Sequence, residues 1–209
     1  MIVMPSNQSG AYFGWLAGSY PGRMGWLLSP DGWRAPHHWL GYALDNGAYQ
    51  SFVNEELWNE DAFVGMLETA QQTFAPQWVL VPDVVADRDA TLALWKQWRP
   101  ALRDYGWPLA FAVQDGMTQA DVPIDADVIF VGGSTEWKWR TVWQWCQDNP
   151  RVHVGRVNGY DGLWGCHDAG AESCDGTGWF RGDQEQLAGL ERYLAESTNG
   201  GRRQSRLCA

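Results

Sequence analysis

Long apolar runs are missing from this chain of 209 residues, and with no window of about 18 apolar residues no membrane span is expected. The opening stretch, MIVMPSNQSG, lacks the basic start and apolar core of a secretory signal, so a cytoplasmic location is expected. Cysteine is scarce. The four cysteines, at 146, 166, 174 and 208, are spaced too irregularly for a disulfide framework, which makes reduced thiols the expected state. Basic residues are outnumbered, 15 Lys and Arg against 25 Asp and Glu, and a net charge of −10 excludes a protein that coats nucleic acid through phosphates alone. A local basic groove stays open, because Lys138, Arg140, Arg151, Arg156 and Arg181 recur late in the chain and Arg202, Arg203 and Arg206 follow in the tail. No internal repeat occurs.

Tryptophan is present in excess. Of the fifteen, Trp95, Trp98, Trp143 and Trp145 are expected to pack helices against strands. The length suits one domain with a sizeable core. From residue 42 onward, strand-like and helix-like segments alternate in the βαβα order of a parallel sheet. Phe63, Met66, Leu67, Ala70 and Phe74 share one face of a helix near 57–74. Asp89 is the expected N-cap of a helix carrying Leu92, Trp95 and Trp98. Further helices are expected through Val142, Trp145 and Cys146, near 160–169, and from Asp183 through Leu187, Leu190 and Leu194. Residues 10–41 show no clear period and are expected to be a long irregular loop after a first strand at Ile2 to Met4. The domain is expected to span 1–197, with 198–209 a disordered tail.

Five apolar runs end in polar or glycine residues that a packed core would not choose. They are YALDNGAY (42–49), WVLVPDVVAD (78–87), LAFAVQDG (109–116), VIFVGGSTEWKW (128–139) and the long run from Val152 to Trp179, which carries VHV and then Asp175. Strand ends converging on one face are the active-site end of a compact TIM-type (β/α)8 barrel. The eighth unit is expected to be irregular or incomplete, because little beyond one helix can follow Asp175.

Asp45 precedes an Asn-Gly turn and either caps the next segment or does chemistry. Asp83, flanked by apolar residues, must be paired or bind something. Gln114 and the Gly132/Gly133 pair add an amide and approachable backbone N–H groups. A guanine-like base, with N1–H and N2–H₂ donors beside an O6 acceptor, needs such a set. Asp45 and Asp175 are then left for the glycosidic carbon, as an acid/base and nucleophile pair. Lys138 and Arg156, taken alone, belong to a local basic groove or are solvated surface charges.

The ordered set resembles the tRNA-guanine transglycosylase superfamily, and within it the phage and bacterial branch of DpdA-like DNA 7-deazaguanine transglycosylases. LDNGAYQSF is similar to that superfamily's D-[SN]-G-[GA]-[FY]-Q motif; VPDVVAD, FAVQDG and FVGGST are similar to its base-recognition strands; VHVGRVN with ESCDGTGW is similar to its late strands in DNA-type form. The similarity runs from Tyr42 to Trp179. It implies that Asp175 attacks C1′ and holds the sugar covalently, and that Asp45 is the general acid/base. Asp83, Gln114 and the Gly132/Gly133 backbone would read the base edge, with the ring between Tyr49 and Val154. It implies guanine in DNA exchanged for a free 7-deazaguanine such as the 7-cyano form, without a redox cofactor, with Lys138 and Arg156 as phosphate partners.

The chain departs from the tRNA enzymes in lacking their C-x-C-x₂-C…H zinc site. Cys166, His167 and Cys174, with Cys146 or His153 as a fourth ligand, are the only substitutes, and their spacing matches no structural zinc pattern. No cofactor is therefore expected, with a metal-free thiol cluster as the default. The alternatives are the same exchange on tRNA, a nucleobase glycosylase or hydrolase, and a non-catalytic nucleic-acid-binding barrel.

Overall fold

In a computed structural model, which describes residues 1–201, eight parallel strands form one sheet in the order β1-β8-β7-β6-β5-β4-β3-β2. The strands are β1 (Ile2–Pro5), β2 (Trp26–Leu28), β3 (Tyr42–Leu44), β4 (Val79–Leu80), β5 (Leu109–Val113), β6 (Val128–Val131), β7 (Val152–Val154) and β8 (Ser173–Gly176). The seam between β1 and β2 is crossed by two single parallel bridges, Val3 to Met24 and Ser6 to Leu27. The result is a (β/α)8 barrel, as the strand-end pattern predicts. Around it, within the described residues, lie α1 (Ala11–Ser19), α2 (Ala48–Val53), α3 (Glu60–Ala70), α4 (Arg88–Arg103), α5 (Thr135–Asp148), α6 (Tyr160–Ala169) and α7 (Gln184–Thr198). No described helix is long and apolar enough to cross a membrane.

Side-chain alternation sorts the core into two layers. Met4, Leu27, Ala43, Trp78, Leu80, Ala110, Ala112 and Val128 pack together inside the barrel, with Ile2 and Phe130 against them. The alternate residues, such as Leu109, Phe111 and Val113 of β5, pack outward with the apolar faces of the helices. On α3 that face is Phe63, Met66, Leu67 and Ala70, as its spacing predicts, but the helix ends at Ala70 and Phe74 lies beyond it. Trp95, Trp98 and Trp145 are buried as expected, whereas Trp143 is 53% exposed.

Four local expectations are corrected. Residues 10–41 are not one irregular loop but contain α1 and β2. Their signal is faint because α1 is apolar around much of its circumference and carries Gly14 and Gly18, while β2 is only WLL. The eighth unit is complete, since β8 is followed by the 15-residue α7; it is the second and fifth units whose strands are followed by short 3₁₀ turns, at Pro30–Gly32 and Gln119–Asp121. The N-cap of α4 is Asp87, whose carboxylate accepts from the Ala90 N–H, and Asp89 lies in the first turn. Thr198 closes α7, so the expected tail begins inside a helix; its residues 202–209, with Arg202, Arg203, Arg206 and Cys208, lie outside the described residues.

Candidate active site

The C-terminal ends of the strands surround a cavity of about 990 Å³, its open mouth included. β1 and its following turn supply Ser6 and Asn7, and the ends of β3, β4 and β5 supply Asp45 with Asn46, Asp83, and Gln114. Gly132 and Gly133 follow β6, Arg156 and Asn158 follow β7, and Asp175 lies on β8. Of the residues singled out in the sequence, Asp45, Asp83, Gln114, Gly132, Gly133, Tyr49, Arg156 and Asp175 line this one cavity.

Asp83 is held by two amides. Asn46 Nδ2 donates to its Oδ1 at 2.7 Å and Gln114 Nε2 to its Oδ2 at 2.7 Å. Asn46 also donates to the Val81 carbonyl and accepts from the Ala48 N–H, so the residue is fixed in all its polar contacts. Its role went unread in the sequence, where the Asn-Gly pair signals only a turn. The turn itself is as expected: Gly47 has φ of 79°, a left-handed conformation that glycine adopts without strain. Burial raises the Asp83 carboxyl to about 6, against the pull of the Asn46 amide and the Arg156 charge.

Asp45, at the end of the neighbouring strand β3, lines the same cavity. Burial pushes its carboxyl up to about 7, helped by the charge of Asp175 and, less, of Asp83; the Gly47 and Asn46 backbone N–H groups oppose the shift. A carboxyl in that range exchanges its proton near neutral pH, which is what general acid/base work requires.

Asp175 is 5% exposed. Its Oδ1 lies 3.0 Å from His153 Nε2 and accepts the Arg156 N–H at 3.2 Å, while Oδ2 has the Ser6 hydroxyl at 3.4 Å. Gly176 follows because a Cβ there would lie 2.5 Å from Asn158 Oδ1 and 2.6 Å from the Val157 carbonyl oxygen. Arg156 itself has φ of 57°, a left-handed conformation rare outside glycine and found most often where a site demands it. Its guanidinium lies 4.5 Å above the Tyr49 ring and donates to the Gly133 carbonyl.

Four expectations about roles change. The Gly132 and Gly133 N–H groups are not free donors: the first bonds the Val113 carbonyl at 3.1 Å and the second Gln114 Oε1 at 3.1 Å. Glycine is required there for space, since a Cβ on Gly133 would meet Asp115 Oδ2 at 2.6 Å and the Trp137 ring at 2.7 Å. Val154 cannot face a bound ring, because alternation along β7 turns His153 into the barrel and Val154 out into the helix layer. Tyr49 lines the cavity, but Arg156 covers one of its faces. Lys138 is 1% exposed and donates to the Gly155 carbonyl, so it cannot meet a polymer phosphate.

No described cysteine is among the residues that line this cavity. Burial raises Cys146 to about 11, Cys166 to about 12 and Cys174 well above the ordinary thiol value, which holds them protonated. Among the described residues no three His, Cys, Asp or Glu side chains gather as a ligand set, so Cys146, Cys166, His167 and Cys174 are not brought together as a zinc site. His167 instead pairs its Nδ1 with the Tyr193 hydroxyl at 2.9 Å.

Fold and site together define a (β/α)8 barrel whose strand ends carry an acidic cavity, with Arg156 and Arg181 as cations at its wall. Neither the protein-family models nor the curated proteins compared with this chain match it.

Proposed function

We propose that this protein is a base-exchange transglycosylase that replaces guanine in DNA with a 7-deazaguanine through a glycosyl-aspartate intermediate. The observation that carries the reading is the division of labour among three carboxylates in one cavity. Asp83 is steered by two amides, burial raises Asp45 to about 7, and Asp175 has one oxygen beside His153 Nε2 and the Arg156 N–H and the other in looser contact. Asp83 keeps unused lone pairs on both oxygens, which suits acceptance from a guanine N1–H and N2–H₂. Leu27, Leu80 and Phe130 give the cavity apolar surface for the ring.

In the first half-reaction an Asp175 oxygen forms a bond to C1′ as the bond from C1′ to the purine nitrogen breaks. The departing electron pair is met by a proton from Asp45. In the second, the incoming 7-deazaguanine gives its proton to Asp45, its nitrogen bonds C1′, and the ester to Asp175 is released. Splitting the exchange this way turns one hard displacement into two easier ones. C1′ is hidden in a duplex, so the target nucleotide is flipped out or single-stranded.

The test is mass spectrometry of nucleosides released from DNA incubated with the protein and a panel of 7-deazaguanines. Incorporation of a 7-deazaguanine supports the reading. Incorporation into tRNA alone would change the polymer, release of guanine without insertion would make the protein a glycosylase, and no change in either polymer would overturn it.

A further inference from the structure

Beneath the cavity, the barrel interior is apolar, with Met4, Trp78, Ala110 and Phe130 among its residues. Into this core β7 turns an imidazole. His153 is fully buried, its ring 4.9 Å from Phe130 in a stacked arrangement and 4.8 Å from Trp78 edge-on. Placing a polar ring there is unfavourable unless both nitrogens are bonded, and both are. Nδ1 lies 2.8 Å from the Ser173 hydroxyl and Nε2 lies 3.0 Å from Asp175 Oδ1. Ser173 and Asp175 are two apart on β8 and so face the same way, and β7 pairs with β8 so that His153 stands beside Ser173. The chain Ser173–His153–Asp175 thus runs up the barrel to the floor of the cavity.

We infer that His153 is the positioning residue of the nucleophile, fixing which oxygen of Asp175 attacks. The inference rests on the transglycosylase reading for the role of Asp175. A serine hydroxyl that donates to Nδ1 leaves the proton of a neutral imidazole on Nε2, where it points at the carboxylate. Together with the Arg156 N–H it holds Oδ1 between two donors, and Oδ2, with the Ser6 hydroxyl at 3.4 Å, is the oxygen that swings least encumbered into the cavity. In the covalent step a lone pair of Oδ2 bonds C1′ while the glycosidic pair leaves with the purine and takes the proton of Asp45. The Nε2 proton stays on His153 throughout. His153 never touches the substrate; it acts by orienting Asp175.

The tautomer is read by long-range proton–nitrogen NMR of the histidine-labelled parent, with His153→Gln assigning the signals. The expected result is a proton on Nε2 and a bare Nδ1, with both signals displaced in Asp175→Asn. A proton on Nδ1 with none on Nε2 would overturn the inference, because the Nε2 lone pair would then face the carboxylate. In a second arm, adduct formation on a guanine-containing DNA strand is timed. His153→Phe is expected to slow it about 10- to 100-fold without changing the affinity for the incoming 7-deazaguanine, and His153→Gln, which can still donate, to recover most of the rate. Parental rates in a folded His153→Phe protein overturn the inference. If that variant does not fold, a His153→Gln rate no better than that of Ser173→Ala with a lost tautomer preference overturns it instead. A parent that forms no adduct removes the nucleophile and with it the transglycosylase reading, whereas the hydrogen-bonded chain itself stands or falls on the tautomer.

Discussion

Lys138 Nζ lies 2.6 Å from the carbonyl oxygen of Gly155 and 3.2 Å from that of Arg156, so a lysine of α5 grips the loop that follows β7. With both carbonyls drawn to the ammonium, the Arg156 N–H is left to meet Asp175 Oδ1. Burial, and then the charge of Arg156, lower the lysine to about 8.

Lys138→Met removes a buried donor from two carbonyls and is expected to cost about 1–3 kcal/mol in urea unfolding. It should leave the slope of log DNA affinity against log salt unchanged, because Lys138 does not reach solvent. Arg156→Gln should lower that slope by about one unit, or somewhat less on a single strand. A reduced slope in Lys138→Met alone would mean that the loop opens to let the lysine reach DNA.

Asp83→Ala leaves the Asn46 and Gln114 amides without their shared acceptor, beside a cavity that water can enter. The protein should fold, within about 1–2 kcal/mol of the parent, and lose guanine recognition. Steady-state exchange with guanine as the leaving base checks this, and parental kinetics would make Asp83 structural.

The pH dependence follows from Asp45, at about 7, and Asp83, at about 6, both raised by burial. Between about 4 and 7 the folded chain binds more protons than the unfolded one, so stability falls as pH rises through that window and the cost is complete above it. The urea midpoint should therefore be higher at pH 5 than at pH 8. Asp45→Asn should flatten this dependence and gain on the order of 2 kcal/mol at pH 8. The half-reaction that needs protonated Asp45 should slow as pH passes about 7.

Asp175→Asn should form no covalent adduct with a guanine-containing strand yet bind it as the parent does, whereas Asp45→Asn should be slowed in both half-reactions. Peptide mapping after denaturation locates the adduct. An adduct on Asp45 would exchange the two roles.

The strand ends were legible because a polar residue after a buried apolar run, as at Gln114 after LAFAV or Asp83 after WVLVP, conflicts with a packed core and so announces a site. The runs themselves, LAFAV and VIFV, match their strands residue for residue. Facing is harder to read. In a strand buried on both sides, periodicity does not tell inside from outside, so nothing in VHV itself corrects the placement of Val154 that the resemblance implies or singles out His153 as the inward residue. The pairing of His153 with Ser173 depends on the register of β7 against β8, which no local pattern encodes. The burial of Lys138 is hidden for a related reason: a charge in a helix reads as surface, and only the approach of the β7 loop makes a burial site for it.

The β1–β2 seam gives the barrel one loosely fastened stave. Its fastenings include the N–H of Val3 on Arg23, of Gly25 on Val3 and of Asn7 on Leu27, and these amides should take up deuterium ahead of those in the β5–β6 ladder. Ser6 lies on that stave and touches Asp175, so the breathing of the cylinder reaches the cavity floor directly. A molecule seated in the cavity would act as a hoop, and its arrival would be felt as slowed exchange along the seam.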